Sequence, residues 1–324
     1  MEIIDKIKRC VRKIRVGYVR PFIHFSRKIK IPGFQGVSLW EIIFFFLFSL
    51  RKGHISMRAG AVAFHFFLAL IPFGLVLVVL SAYTPGIHLE EDIAPVVSSL
   101  IPDQLFEKFM SGLREYENSS VSSLISLGFI FALYFASNGF TVLIKAFNSS
   151  KMKFSKRNWW SARLVSFGFV LIFTIGILVT FYCLVLARKG YNMWAESSDF
   201  IARYFDQIYG LTDILFLGIL VYTGISFLYY YGPQNRKDFS FFSPGATLAF
   251  ILVIAISVIY ELYIAYYANY NALYGSLGTI IMLLLWIYMI SFSLLIGFEL
   301  NASIHGAIQK KRLDRLENLD KRYE

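Results

Sequence analysis

The residues able to do chemistry in this chain are few, and they stand in strongly apolar surroundings. His65 lies in RAGAVAFHFFLALIPFG, with Pro72 following it. An imidazole there can line a cavity or change charge near neutral pH. Equally, it can hydrogen-bond to a neighbouring helix. Pro72 removes a backbone donor, so a helix through it is expected to kink. Ser137, Asn138 and Gly139 are consecutive in FASNGF. They can line a polar path or loosen a helix, or they can hold helices together by close approach and hydrogen bonding. Glu261, in IYELYIAYY, needs water, a base or a proton, whether it lines a cavity or reaches out to an interface. Lys145 and Glu299 are expected near the inner ends of two apolar segments, where they can pair. Tyr260, Tyr263, Tyr267, Tyr270 and Tyr274 share one face of an ideal helix. They read as an interfacial aromatic belt, or as a platform for an amphipathic ligand. Trp286 and Tyr288 are expected deeper, packed between helices.

None of this is a catalytic constellation. No Ser/His or paired-acid arrangement recurs, and no nucleotide-binding loop is present. Cys10 and Cys183 make no disulfide scaffold, and no Cys/His spacing suits a metal, so neither metal nor cofactor is expected. The sequence is read as a non-enzyme.

The elements that must position these residues are six long apolar stretches: Met57–Tyr83, Val121–Phe147, Leu164–Ala187, Leu211–Tyr231, Pro244–Tyr267 and Leu277–Leu300. A helix needs about 20 apolar residues to cross about 30 Å of hydrocarbon. Barrel strands would be about 10 residues long and alternate apolar with polar residues, which these do not. Backbone groups in lipid must be satisfied internally, so the stretches are predicted as helices. The composition agrees: 57% of residues are hydrophobic and 16% charged, against about 25% charged in soluble domains. The fold class is all-α, a polytopic membrane protein of six transmembrane helices.

The charges are sorted by side. Of 32 Lys and Arg, 27 precede Ala59, follow His305, or fall in Lys145–Arg163 or at Arg236 and Lys237. The alternate connections hold only Lys108, Arg114, Arg188, Lys189 and Arg203. The positive-inside rule then places both termini in the cytoplasm.

Residues 1–50 form a basic leader. Ile3, Ile4, Ile7, Val11, Ile14 and Tyr18 recur at helical spacing among Lys and Arg. Such a helix can lie on an anionic leaflet and so partner membrane lipids; the other reading is a partner-binding arm. Val37–Leu50 is too short for a comfortable span, and is predicted as an interfacial or re-entrant helix. Residues 51–305 are the transmembrane domain, with an acidic external connection over 84–120. Residues 306–324 are a charged tail, expected as solvated helix or coil. A homo-oligomer or an envelope protein partner is compatible with this layout, and no nucleic-acid partner is expected.

Four segments, in order, carry a resemblance: MRAGAVAFHFFLALIPF (57–73), ALYFASNGFTVLIKAFN (132–148), SPGATLAF (243–250) and YGSLGTIIMLLLWIYMISFSLLIGFELNA (274–302). The chain resembles the YihY/BrkB family of bacterial inner-membrane proteins, once labelled ribonuclease BN. His65 departs from it, since many relatives carry Tyr or another aromatic there. The resemblance implies a six-helix inner-membrane bundle with both ends cytoplasmic, and a part in handling envelope lipid or lipopolysaccharide. It also points to Asn138, Gly139, Lys145, Asn148, Tyr274, Gly275, Gly278, Trp286, Glu299 and Asn301. The ribonuclease label fits this chain poorly. A metal-dependent nuclease needs clustered carboxylates or histidines, and the cytoplasmic connections between spans offer only Asp238. Movement of a lipid or other amphipathic envelope component is the leading expectation. The alternative is a non-transporting membrane scaffold.

Overall fold

A computed structural model of the chain describes residues 39–81, 122–150, 157–195, 199–234, 240–266 and 276–323. Among these residues every regular element is an α-helix: α1 (Leu39–Lys52), α2 (Ile55–Ser81), α3 (Ser122–Asn148), α4 (Trp159–Ala195), α5 (Asp199–Tyr231), α6 (Pro244–Tyr266) and α7 (Ser276–Tyr323). The basic leader ahead of α1, the acidic connection over 84–120, Tyr267, Tyr270, Tyr274 and Gly275 lie outside the described residues. Helices α2 to α7 each contain a segment long and apolar enough to cross a membrane. At 14 residues, α1 rises about 21 Å, short of the hydrocarbon thickness.

Each span has one apolar stripe turned outward. On α4 it is Leu164, Ile172, Ile175, Val179, Tyr182 and Leu186, all exposed. In water such a stripe would have to be covered; in a bilayer it faces lipid tails. The opposite faces build one core from all six spans. Consecutive spans pack in chain order, and α7 closes back on α2, so the six form a ring.

Contacts fix the directions. Arg58 meets Ala146 while Phe66 meets Gly139, so α2 and α3 are antiparallel. Phe173 meets Gly224 and Gly176 meets Leu220 across α4 and α5. Gly245 meets Asn301 and Tyr260 meets Trp286 across α6 and α7. The starts of α2, α4 and α6 and the ends of α3 and α5 therefore share one end, the one flanked by the basic segments. The ring is filled there by Phe147, Tyr229 and Phe298, from α3, α5 and α7, all fully buried. Phe147 stacks on Phe298 at 4.1 Å. Tyr229 lies edge-on to both, and its hydroxyl donates to the Leu294 carbonyl at 2.5 Å.

Three helices start or end well away from the expectation; one is α5, which starts at Asp199 rather than Leu211. The third span begins at Trp159 rather than Leu164, because Asn158 caps it. Its side-chain Oδ1 accepts from the Trp159 N–H at 2.7 Å, and its carbonyl from the Ala162 N–H at 2.9 Å. Arg163 is consequently inside the helix, one turn from its start, and not in the connection. The last span does not stop near Leu300: α7 continues to Tyr323. Residues 307–323 contain no Gly or Pro to end it.

Helix α1 packs on that continuation. Ile42 lies against Ile304 and Ala307, with Phe45, Leu300 and Ile308 around them. Phe44, Leu47 and Phe48 are exposed on α1. The turn into α2 is tight. Gly53 N–H bonds to the Ser49 carbonyl at 2.7 Å, and His54 adopts a left-handed φ of 47°. Pro72 sits within α2, whose helix runs unbroken through it.

Candidate functional site

Two arginines inside the bundle organise its polar side chains. Arg163, only 6% exposed, crosses from α4 to α3. Its Nη1 donates to Asn138 Oδ1 at 2.7 Å, Ser137 Oγ at 3.1 Å and Thr141 Oγ1 at 3.2 Å. Its guanidinium stacks on Tyr134, 3.9 Å from the ring centroid. Among the described residues no acid is its partner, Nε is buried without an acceptor, and no hydrogen bond engages Nη2. Thr141 Oγ1 also donates to Ser166 Oγ at 2.9 Å. Ser166 and Thr174 are fully buried on the same face of α4 as Arg163. Arg163, Ser166 and Thr174 thus mark a polar seam along α4 that Val170 interrupts, with Ser137, Asn138 and Thr141 of α3 meeting its inner part; the Ser166 and Thr174 hydroxyls donate to the Ala162 and Val170 carbonyls of α4 itself, each at 2.8 Å. The seam rises about 16 Å from Arg163 to Thr174.

Arg58, at the start of α2, holds Glu299 of α7 at 2.6 Å; their side chains are 11% and 0% exposed. The same guanidinium donates to the Gly53 carbonyl at 3.2 Å and to the Ala146 carbonyl at the end of α3. The other Glu299 oxygen accepts from Ser150 Oγ at 2.8 Å. One ion pair therefore ties α2, α3, α7 and the turn after α1. The expected Lys145–Glu299 pair does not form. Lys145 is exposed, and Glu299 faces inward, where both its oxygens are engaged.

A third polar knot joins α6 to α7. Asn301 Oδ1 accepts from the Gly245 N–H at 2.8 Å, and its Nδ2 donates to Ser243 Oγ at 2.8 Å. Gly245 heads α6, where an N–H lacks a helical partner, so Asn301 serves as a cap supplied from another helix. The approach needs glycine on both sides. A Cβ at Gly245 would collide with the Gly297 carbonyl oxygen, and one at Gly297 would stand 2.5 Å from that of Gly245.

The remaining candidates are dispersed. His65 Nδ1–H donates to the Ala61 carbonyl of its own helix at 2.9 Å, not to a neighbouring helix. Gly139 admits Phe66, whose Cδ1 would lie 2.7 Å from an added Cβ. Asn148 ends α3, and Gly278 lies near the start of α7. Trp286 packs against Tyr260 with centroids 6.3 Å apart. Tyr288 bonds to Ser56 Oγ at 2.8 Å. Glu261 is exposed near the far end of α6. Ser137 and Asn138 do come together with a partner, but the partner, Arg163, is one that sequence reasoning placed in the connection. Arg58 was likewise counted with the flanking basic residues. The available signal was position: each follows a helix start by one turn or less and precedes a long apolar run. Among the described residues, no three His, Cys, Asp or Glu side chains come close enough to share a metal ion.

A helical membrane bundle with buried polar knots at one end is what fold and site define. The chain belongs to the family described as Virulence factor BrkB, whose model matches residues 47–321. A protein of Bacillus subtilis named ribonuclease-like, YfkH, is 28% identical over 262 residues, covering 80% of this chain and 92% of its own. The UPF0761 membrane protein IL2447 of Idiomarina loihiensis is 29% identical over 203 residues, 61% of this chain and 67% of its own. That of Pseudoalteromonas translucida, PSHAa0171, is 26% identical over 263 residues, 77% and 81% of the two chains. No solved structure matches.

Proposed function

We propose that the protein moves or handles a lipid or other amphipathic envelope component in the bacterial inner membrane, with both termini cytoplasmic. The orientation rests on the concentration of Lys and Arg at one end. The observation that carries the activity is the seam of Arg163, Ser166 and Thr174 on α4 with Ser137, Asn138 and Thr141 on α3. Polar and charged groups within a span are costly, and they concentrate where a protein handles polar cargo. Tyr134, which covers the guanidinium, is 41% exposed on the outward side of α3. A headgroup can follow the seam while its acyl chains stay in the bilayer. The ion pair of Glu299 with Arg58 leaves that acid committed to packing, which argues against a ribonuclease chemistry built on it.

The test is leaflet exchange in proteoliposomes, with a headgroup-labelled phospholipid and an external quencher. Fast quenching of the inner-leaflet label, slowed by Asn138→Leu, is expected. Glu261→Gln serves as a second probe, at the far end of α6. Protein-free rates from folded protein reject the transport reading and favour the scaffold.

A further inference from the structure

Arg163 is a cation held ready for an anion that no described residue provides. Three neutral oxygens grip one nitrogen, Nη1, and Tyr134 holds the plane from one face. These contacts fix the guanidinium, and no described acid compensates its charge. Among the described residues the remaining donors find no acceptor: Nε is buried without one, as the Nε of Arg58 also is, and Nη2 makes no hydrogen bond. Together Nε and Nη2 form one side of the guanidinium fork, the edge that takes two oxygens of a phosphate or carboxylate in parallel. A structural arginine in lipid is normally paired, as Arg58 is with Glu299. Arg163 differs in just this respect.

Location narrows the anion. The residue lies one turn beyond Trp159, and Trp159 and Trp160 are exposed at the start of α4. Tryptophans in that position mark headgroup level. Leu164, adjacent to Arg163, faces outward and is exposed, as is Tyr134. The exposed surface nearest the guanidinium is therefore the lipid side, at Tyr134 of α3 and Leu164 of α4. An anion arriving from that side with apolar chains attached would keep the chains against the exposed stripes of the two helices.

We infer that Arg163 binds the phosphate of a phospholipid headgroup at the basic end of the α3–α4 seam. This names the ligand class of the proposed activity and rests on that reading. Tyr134 is the movable cover, and Ser137, Asn138 and Thr141 are positioning residues that hold the guanidinium.

The experiment is thermal unfolding of the full-length protein in mild detergent. The probes are dihexanoyl phosphatidate, dihexanoylglycerol with the same chains and no phosphate, and inorganic phosphate. Asn138→Asp is the informative variant. It is isosteric, places a carboxylate 2.7 Å from Nη1, and pairs the charge internally without emptying the space. Phosphatidate in large excess is expected to raise the midpoint of the unmodified protein by roughly 5 °C. Dihexanoylglycerol and inorganic phosphate should not. Asn138→Asp should raise the midpoint by itself and abolish the response. Arg163→Gln should abolish the response too, and if it fails to fold, Asn138→Asp carries the test alone. An equal shift from inorganic phosphate overturns the lipid assignment in favour of a free anion. A phosphatidate shift that survives Asn138→Asp, or no shift in any protein, overturns the site. Binding without leaflet exchange keeps the site and rejects the transport reading; exchange indifferent to Asn138→Asp does the reverse.

Discussion

Gly245 of α6 and Gly297 of α7 bring two helix backbones into direct contact. A Cβ placed on Gly297 would stand 2.5 Å from the Gly245 carbonyl oxygen, 2.6 Å from the Tyr229 hydroxyl and 2.7 Å from Ala249 Cβ. Small residues permit such approach in membranes, where packing rather than hydrophobic burial holds helices together. Gly297→Ala is expected to destabilise by about 1–3 kcal/mol, because two of the three neighbours are backbone or backbone-fixed and cannot retreat. Gly60→Ala and Gly168→Ala meet nothing within 4 Å. They should be neutral or stabilising by up to about 1 kcal/mol through helix propensity. Reversible unfolding in detergent compares the three.

Breaking the Arg58–Glu299 pair from one side leaves a buried charge without its partner. Glu299→Ala is expected to lose about 3–5 kcal/mol. The exchange Arg58→Glu with Glu299→Arg should not restore stability, because the Gly53 and Ala146 carbonyls would then face a carboxylate. Full rescue by the exchange would sink this account. Lys145→Gln, at an exposed position, should stay within about 0.5 kcal/mol.

Tyr229→Phe removes only a hydroxyl, but one that is buried and donates to the Leu294 carbonyl. A loss of about 1 kcal/mol is expected, since the carbonyl has a second partner within its own helix. Phe147→Ala, in the same aromatic group, should lose about 3–5 kcal/mol by opening a cavity at the closed end of the ring. Denaturant unfolding of the two variants would show whether this ranking holds.

Orientation is checked by labelling single cysteines in a background lacking Cys10 and Cys183. Ser240→Cys and Leu313→Cys should react only with reagent admitted to the cytoplasmic side. Ser98→Cys should react from outside in intact cells. The inverse pattern would reverse the assignment drawn from the Lys and Arg distribution.

The spans could be read from the sequence because uninterrupted apolar length is a one-dimensional signal, and lipid leaves the backbone few choices. The start of α4 could not, because it depends on one capping side chain. Asn158 shifts the boundary by five residues and converts Arg163 from a flanking charge into an interior one. Pairing was harder still. Lys145 and Arg58 lie at the same end and carry the same charge, and Glu299 can serve either. What decides is rotation about the helix axis: Lys145 turns outward while Ala146 and Phe147 turn inward. That rotation follows from how six helices pack, which no single segment encodes. The Asn301–Gly245 contact shows the intermediate case. Both residues lay in segments that carried the family resemblance, but only the packed helices show that one caps the other.

The closure of α7 on α2 also sets a timetable. Arg58 is separated from Glu299 by 241 positions, and ribosomes add roughly 5–20 residues per second. For about 10–50 seconds the nascent chain holds an inserted first helix whose arginine lacks its counterion. The ring cannot shut before the final span arrives. A chain interrupted anywhere in α7 before Glu299 would be left with an open bundle and an unneutralised charge in the bilayer, a mark by which a half-made copy differs from a finished one.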